Sequence, residues 1–399
     1  MTKLPSTDLY LILTLITLIT CAKGVIGGGT YNVQSLGGRP NGRTDSSKAF
    51  MAAWTSACGS TGRSTILVPS GRFLVRNKII FSGNRCKSDG ITFVIKGTIL
   101  APSDFRVLGN SGTWLSFENT NGVTLSGGVF DGQGAGLWAC KRFRNGGCPS
   151  GVTTLSFTNS MNIVIDGVTS LNSQLYHIVF NGCKNVKVQG VTISASGTSP
   201  NTDGIHVQMS MGVTILNSKI RTGDDCISIG PGTNGLWIEG IHCGPGHGIS
   251  IGSLGKEQNE PGVQNVTVKT CSFTNTQNGV RIKSWGRASN GFVRNVVFQH
   301  LTMVNSQNPI IIDQNYCPGN KNCPGQVSGV RIDGVTYQDI HGTSATPIAV
   351  KLDCSSRYHC AGIILEDVHL TYGSNKPASA FCTNAIGSTS GMVQPNGCL

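Results

Sequence analysis

The sequence predicts an all-β protein: a single-stranded, right-handed parallel β-helix of about ten coils with a short N-terminal capping helix. Three observations lead there. Glycine supplies 54 of 399 residues, whereas charged residues are 13 % and aromatics 7 %. That composition suits many turns at positive φ and disfavours a helical bundle or a disordered chain. An alternating apolar triplet led by Asn or Gly recurs, with its first apolar residue at Val123, Ile163, Val186, Val213, Leu236, Val266, Val296, Val330 and Ile363. From Ile163 on, the steps are 23, 27, 23, 30, 30, 34 and 33 residues, a solenoid period in which each unit buries its apolar face only by stacking on the next. Finally, helical patterning is confined to one stretch near the N-terminus. Parallel crossovers are right-handed. The Leu-x-x-Leu-x-Leu phrase of a leucine-rich array is absent, and the long connections do not suit the hairpins of a propeller.

In chain order, residues 1–24 read as a cleaved export signal. Lys3 gives a basic start, and Leu9 to Ala22 is an apolar run of about 14 residues, shorter than the ~20 that a membrane span needs. Residues 25–399 read as one domain. Tyr31-Asn32-Val33 suggests a short strand. Residues 45–57 suggest the capping helix, because Ala49, Phe50, Ala53 and Trp54 share one face. Little helix is expected elsewhere. The 40-residue step from Val123 to Ile163 leaves room for a loop carrying Cys140 and Cys148. The tail after Tyr372 is rich in Gly, Ser and Asn. One glycosylation sequon occurs, Asn265-Val266-Thr267.

Cleavage of the signal removes Cys21 and leaves 14 of the 15 cysteines, an even, dispersed set that suggests disulfides in an oxidising compartment. Expected bridges are Cys58–Cys86, Cys140–Cys148, Cys226–Cys243, Cys317–Cys323, Cys354–Cys360 and Cys382–Cys398, with Cys183 and Cys271 left as buried thiols. The formal charge is +12, or +11 without the signal. In an exported protein this favours a polyanionic partner such as an acidic polysaccharide. No nucleic-acid motif and no second apolar run accompany it, so neither nucleic acid nor membrane is expected as a partner.

Chemistry concentrates between Asn201 and Lys283. Only 19 residues of the chain are acidic, yet Asp203, Asp224 and Asp225 fall within 23 positions. His247 follows Asp225 by 22 residues, and Arg281 follows His247 by 34. Those intervals match the repeat, so the segments are expected on successive coils of one face. Singly, each has a plain structural reading: Asn-Thr-Asp-Gly is a common turn, Asp-Asp a solvated loop, Gly-His-Gly a surface bend and Arg-Ile-Lys an exposed edge. Together they put carboxylates, an imidazole and two cations in one place. Crowded carboxylates repel, so at least one should keep its proton well above the usual value near 3.9. A protonated acid beside an ionised carboxylate is what glycoside cleavage requires.

Asn201-Thr202-Asp203-Gly204, Gly223-Asp224-Asp225, Gly246-His247-Gly248 and Arg281-Ile282-Lys283 together resemble the four signature segments of polygalacturonases, family 28 of the glycoside hydrolases. The resemblance covers nearly the whole exported chain and is highly specific. It implies a right-handed parallel β-helix that hydrolyses α-1,4 links between galacturonic acid units with inversion and needs no cofactor or metal. By that resemblance Asp224 is the general acid, Asp203 and Asp225 activate water, and His247 supports the acid. Arg281 and Lys283 bind a substrate carboxylate, with Tyr316 and Asn201 as further substrate contacts. Expected partners are polygalacturonic acid, or pectin, and wall inhibitor proteins. The expected setting is the plant cell wall, with the protein secreted as a monomer.

The competing readings are a calcium-dependent pectate lyase, a hydrolase of rhamno- or xylogalacturonan, and a non-catalytic pectin-binding wall protein. The intact acid pair argues against the last. The Arg-Lys pair favours a uronate, so de-esterified pectate and an acidic optimum are expected. Internal rather than terminal cleavage is the preferred reading, although nothing in the four segments decides it.

Overall fold

The residue that leads each triplet sets where the chain turns. In the computed structural model, which describes residues 28–143, 147–374 and 376–399, Asn162, Asn185, Gly212, Gly235, Asn265 and Asn295 all have φ between 54° and 70°. Gly and Asn take this left-handed conformation at least cost. The residues that follow are extended, and alternate side chains point inward: Ile163 and Ile165, Val186 and Val188, Val213 and Ile215, Leu236 and Ile238 are all buried. Ile163 pairs in parallel with Val186, Val186 with Val213, Val213 with Leu236, Leu236 with Val266, and Val266 with Val296.

The next step corrects the sequence reading. Val296 pairs with Val335, not Val330, and Val335 with Ile363. The coil is led by Gly334, with φ of 66°. Val330 and Ile332 are also buried, so apolar alternation begins ahead of the corner and misleads a reading based on hydrophobicity alone.

The coils also contribute one strand each to an eleven-stranded parallel sheet. It runs from Ile79–Ser82 through Ile205–Gln208, Ile227–Ile229, Ile249–Leu254 and Asn278–Trp285 to Asn308–Tyr316, Ile348–Asp353 and Ser379–Thr383. Eleven strands exceed the expected ten coils, because the early coils lack the clean triplet. Between the sheets lies a continuous apolar core. Its N-terminal half is a column of rings: Phe81–Phe117 and Phe117–Phe157 centroids are each 4.8 Å apart, and Phe157–Phe180 are 5.3 Å apart.

Helix α1, Ser47–Gly59, closes that end. Its expected face is buried, with Trp54 packed 5.2 Å from Phe81 and donating Nε1–H to the Ser82 carbonyl at 3.1 Å. A second helix, α2, Ala135–Phe143, was not expected. It buries Leu137 and Trp138, and Trp138 Nε1 donates to the Ser173 carbonyl at 3.2 Å. All six expected disulfides form, and Cys183 and Cys271 are buried thiols. The export signal at 1–24 lies outside the described residues. Among those described, no helix is long and apolar enough to cross a membrane.

Candidate active site

The register of the eleven-stranded sheet brings the four segments together. Ile205 pairs with Ile227, and Ile227 with Ile249. Asp203, Asp225 and His247 each precede one of these residues by two positions, so they occupy one equivalent place in consecutive coils. Tyr176 and Asn278 extend the same row, because Ile178 pairs with Ile205 and Ile249 with Val280. A second row on the strands themselves runs His206, Ser228, Ser250, Arg281. Lys283 stands two residues beyond Arg281, on the same face of its strand.

Asp225 is the most heavily bonded member. Its Oδ1 accepts from Arg281 Nη2 and Ser250 Oγ, both at 2.8 Å, and its Oδ2 accepts from Lys283 Nζ at 2.8 Å. Arg281 Nε donates in turn to Ser250 Oγ at 3.0 Å. Burial pushes the Asp225 carboxyl up, but Lys283 and Arg281 with these hydrogen bonds outweigh it and hold the pKa at about 2. Asp203 lies in the opposite regime. Burial, then the charges of Asp224 and Asp225, raise its pKa well above the usual carboxylate range, and a hydrogen bond from Ser228 and the charge of Lys283 offset this only in part. The expected proton-retaining member of the cluster is therefore Asp203. Asp224 Oδ1 meets His247 Nδ1 at 3.0 Å and accepts from the Asp225 amide at 2.8 Å. The His247 amide also donates to the Asp224 carbonyl at 2.7 Å.

A cleft of about 370 Å³ opens over these groups, lined by Asn201, Asp203, Asp224, Asp225, Lys283 and Tyr316. Tyr316 places its ring 5.3 Å from Lys283 Nζ and packs edge-on against Trp285. Two expected residues stand back from the cleft. His247 reaches it through Asp224, and Arg281, 9 % exposed, is committed to Asp225 and Ser250 rather than to open space. The sequence reading missed Tyr176, His206, Gln208, Ser228, Lys256 and Glu260, which also line the cleft. Tyr176 stacks on His206 at 5.3 Å, and His206 Nδ1 meets Ser228 Oγ at 2.7 Å. The signal available for Tyr176 and His206 was their place in the two rows.

Donor atoms of Asp224, Asp225 and His247 lie within 4.8 Å of one another. A divalent cation there would meet Lys283 and Arg281 already on the Asp225 carboxylate, so the donor set fits proton transfer better than metal binding.

A parallel β-helix carrying buried carboxylates of divergent proton affinity in a groove defines a glycoside hydrolase class of site. The chain belongs to glycosyl hydrolases family 28, whose description matches residues 58–391. It is 62 % identical over 387 residues to a polygalacturonase of Prunus persica, covering 97 % of this chain and 98 % of that one. It is 42 % identical over 386 residues to an exopolygalacturonase of Zea mays, covering 95 % and 92 %. Among solved structures, an endo-xylogalacturonan hydrolase from Aspergillus tubingensis superposes with a TM-score of 0.79 at 24 % identity, covering 92 % of this chain and all of that one. A polygalacturonase from Erwinia carotovora superposes with a TM-score of 0.67 at 22 % identity, covering 93 % and 96 %. These likenesses agree with the β-helix.

Proposed function

We propose that the protein is a polygalacturonase that hydrolyses α-1,4 galacturonosiduronic links in de-esterified pectin with inversion. The observation that carries this reading is the convergence of Asp203, Asp224 and Asp225 on one cleft, with Asp225 held ionised by Arg281 and Lys283 and Asp224 in contact with His247. A carboxylate held ionised beside a second carboxyl that can deliver a proton suits acid–base cleavage of a glycoside. The full-length 62 % relative supports the substrate class.

In the mechanism we propose, Asp224 protonates the leaving glycosidic oxygen. Its contact with His247 is compatible with that: a ring Nδ1–H donates to Asp224 Oδ1 before and after transfer, leaving the proton that goes to the glycosidic oxygen on Oδ2. Asp225, ionised even in acid, takes the proton of the attacking water, and Asp203 holds that water once ionised. Lys283 and Tyr316, on the cleft wall, bind the uronate carboxylate and sugar face. Arg281 acts through Asp225. Asn201 shapes the cleft rim at φ of 55°.

Internal cleavage is the reading we favour, with terminal cleavage as the alternative that product sizing distinguishes. We further propose that the protein works as a secreted monomer of the plant cell wall, its 25–399 segment a single catalytic domain, open to wall inhibitor proteins. Asn265, exposed, is its candidate glycan site.

The deciding experiment is polygalacturonate digestion with product sizing. A ladder of oligomers with new reducing ends and no absorbance at 235 nm supports the proposal. Unsaturated products would make it a lyase, and monomer alone would make it exo-acting.

A further inference from the structure

The larger sheet carries a second left-handed corner. Its residues in consecutive coils are Gly167, Gly190, Asn217, Gly240, Thr270, His300, Asp339 and Asp367, with φ between 47° and 70°. Four of the first five are Gly or Asn, which adopt this conformation readily, whereas the last three are His and Asp. Two residues further along each strand, Thr302, His341 and His369 stand in register.

These two rows line a cavity of about 400 Å³, whose walls include His300, Asp339, His341, Asp367, His369 and Met392. Asp339 bridges two imidazoles: its Oδ2 meets His300 Nδ1 at 2.5 Å, and its Oδ1 meets His341 Nε2. The ring Nδ1 of His369 is buried without a hydrogen-bond partner. Asp367 Oδ1 accepts from the Met392 amide at 3.1 Å, tying the last strand to the cavity floor. Three imidazoles and a carboxylate from neighbouring strands are the donor set of a transition-metal site. In-register strand residues are about 4.8 Å apart, so His341 and His369 stand side by side. Bringing their donors onto one ion with Asp339 requires the rings to rotate, since among the described residues only the cleft trio already has its donors within 4.8 Å. The His300 and His341 side chains are 44 % and 52 % exposed, so their rings have room to swing from their hydrogen bonds with Asp339 onto a shared ion. Unlike the trio at the cleft, the set faces no buried lysine or arginine among the described residues lining the cavity.

We infer that His300, Asp339, His341 and His369 form a site for one divalent transition-metal ion, Zn²⁺ or Cu²⁺. The ion clips together the strands Phe292–Ser306, Arg331–Ser344 and Cys360–Tyr372. Binding replaces the protons these groups share with metal bonds and leaves the imidazoles neutral.

The test is calorimetric titration of the chelator-stripped, full-length protein with ZnCl₂, and separately with CuCl₂, at neutral pH. The expected result is one ion per chain and a raised melting temperature. Affinity should fall on the order of tenfold or more in His341→Ala and in His369→Gln, with polygalacturonate hydrolysis unchanged in both. His300→Asn, at an exposed position, provides a third variant should His369→Gln fail to fold. Binding should persist in Asp224→Asn. No saturable binding overturns the inference, as does binding that survives His341→Ala and His300→Asn, or binding that disappears in Asp224→Asn.

Discussion

Lys283 Nζ lies 2.8 Å from Asp225 Oδ2, and the two side chains are 8 % and 1 % exposed. Lys283 belongs to a strand two coils beyond Asp225, so the contact exists only when three coils stack in register. The ion pair therefore joins fold to chemistry. It repays part of the desolvation of both groups, and it keeps Asp225 ionised in acid, where an unassisted buried carboxyl would be protonated.

Lys283→Met removes one of the two charges that offset burial of Asp225. The Asp225 pKa should rise from about 2, and the acid limb of the activity profile should move up with it. Loss of activity should therefore be larger at pH 4 than at pH 6. Folding should also suffer, by about 3 kcal/mol, the scale for a buried pair that loses one partner. The wild-type pair contributes stability above the unfolded carboxyl value, and that contribution is lost as pH falls through about 2. The variant should thus melt below wild type at pH 7, with the gap closing in strong acid. Thermal unfolding from pH 7 down to about pH 1.5 measures the stability effect, and reducing-end assays across pH 3–7 measure the activity effect.

Asp203→Asn should separate stability from activity. Asp203 has its folded-state pKa raised by burial and by two neighbouring carboxylates. A raised value favours the fold below the unfolded pKa, and that contribution is lost as pH rises through the folded one. At pH 7 the fold must either bury a charged carboxylate or hold a proton that the unfolded chain would release, and asparagine avoids both costs. The variant should melt higher than wild type at pH 7 and close to it at pH 3, while hydrolysis falls by roughly 10² or more. Equal melting temperatures at both pH values would mean that Asp203 carries no such strain.

Phe157 is fully buried between Phe117 and Phe180, with interplanar angles of 8° and 23°. Phe157→Ala should cost about 3–5 kcal/mol, because the rigid coils on either side relax little into the space left. Urea unfolding followed by circular dichroism gives the number directly. A loss below ~1 kcal/mol would show that the ring column is not a continuous packed unit.

Much of this was legible because the β-helix repeats its demands. Each coil needs a left-handed corner, and that need appears in the sequence as the Asn or Gly before each triplet. The same repeat made the spacing of Asp203, Asp225 and His247 readable as one place in successive coils. The coil at Gly334 was misread because Val330 supplies apolar alternation before the corner does. Helix α2 was missed because its apolar residues sit in a glycine-rich loop. Tyr176, His206 and Ser228 were missed because singly they are ordinary residues of a half-buried strand face; only the register gives them meaning. The commitment of Arg281 to Asp225 depends on a contact across 56 residues that no local pattern announces.

Asn295 offers a direct test of the corner rule. Its φ is 54°, and its side-chain Nδ2 donates to Asn265 Oδ1 at 3.2 Å in the coil before. The next coil places Gly334 there at φ of 66°. A Cβ at Gly334 would come no closer than 3.6 Å to any neighbour, the Asn295 amide nitrogen, so the corner is roomy and the constraint lies in the backbone angle. Asn295→Gly should therefore lose only the exposed side-chain hydrogen bond, a few tenths of a kcal/mol. Asn295→Ala loses the same bond and must also hold an L-residue in the left-handed region, adding about 1–2 kcal/mol. The expected order of melting temperatures is wild type, then Gly closely below, then Ala clearly lowest. This reverses the usual ranking, in which alanine is preferred to glycine. Were Ala to equal or exceed Gly, the corner would be set by side-chain bonding rather than by φ, and the asparagine ladder would have to hold the register instead.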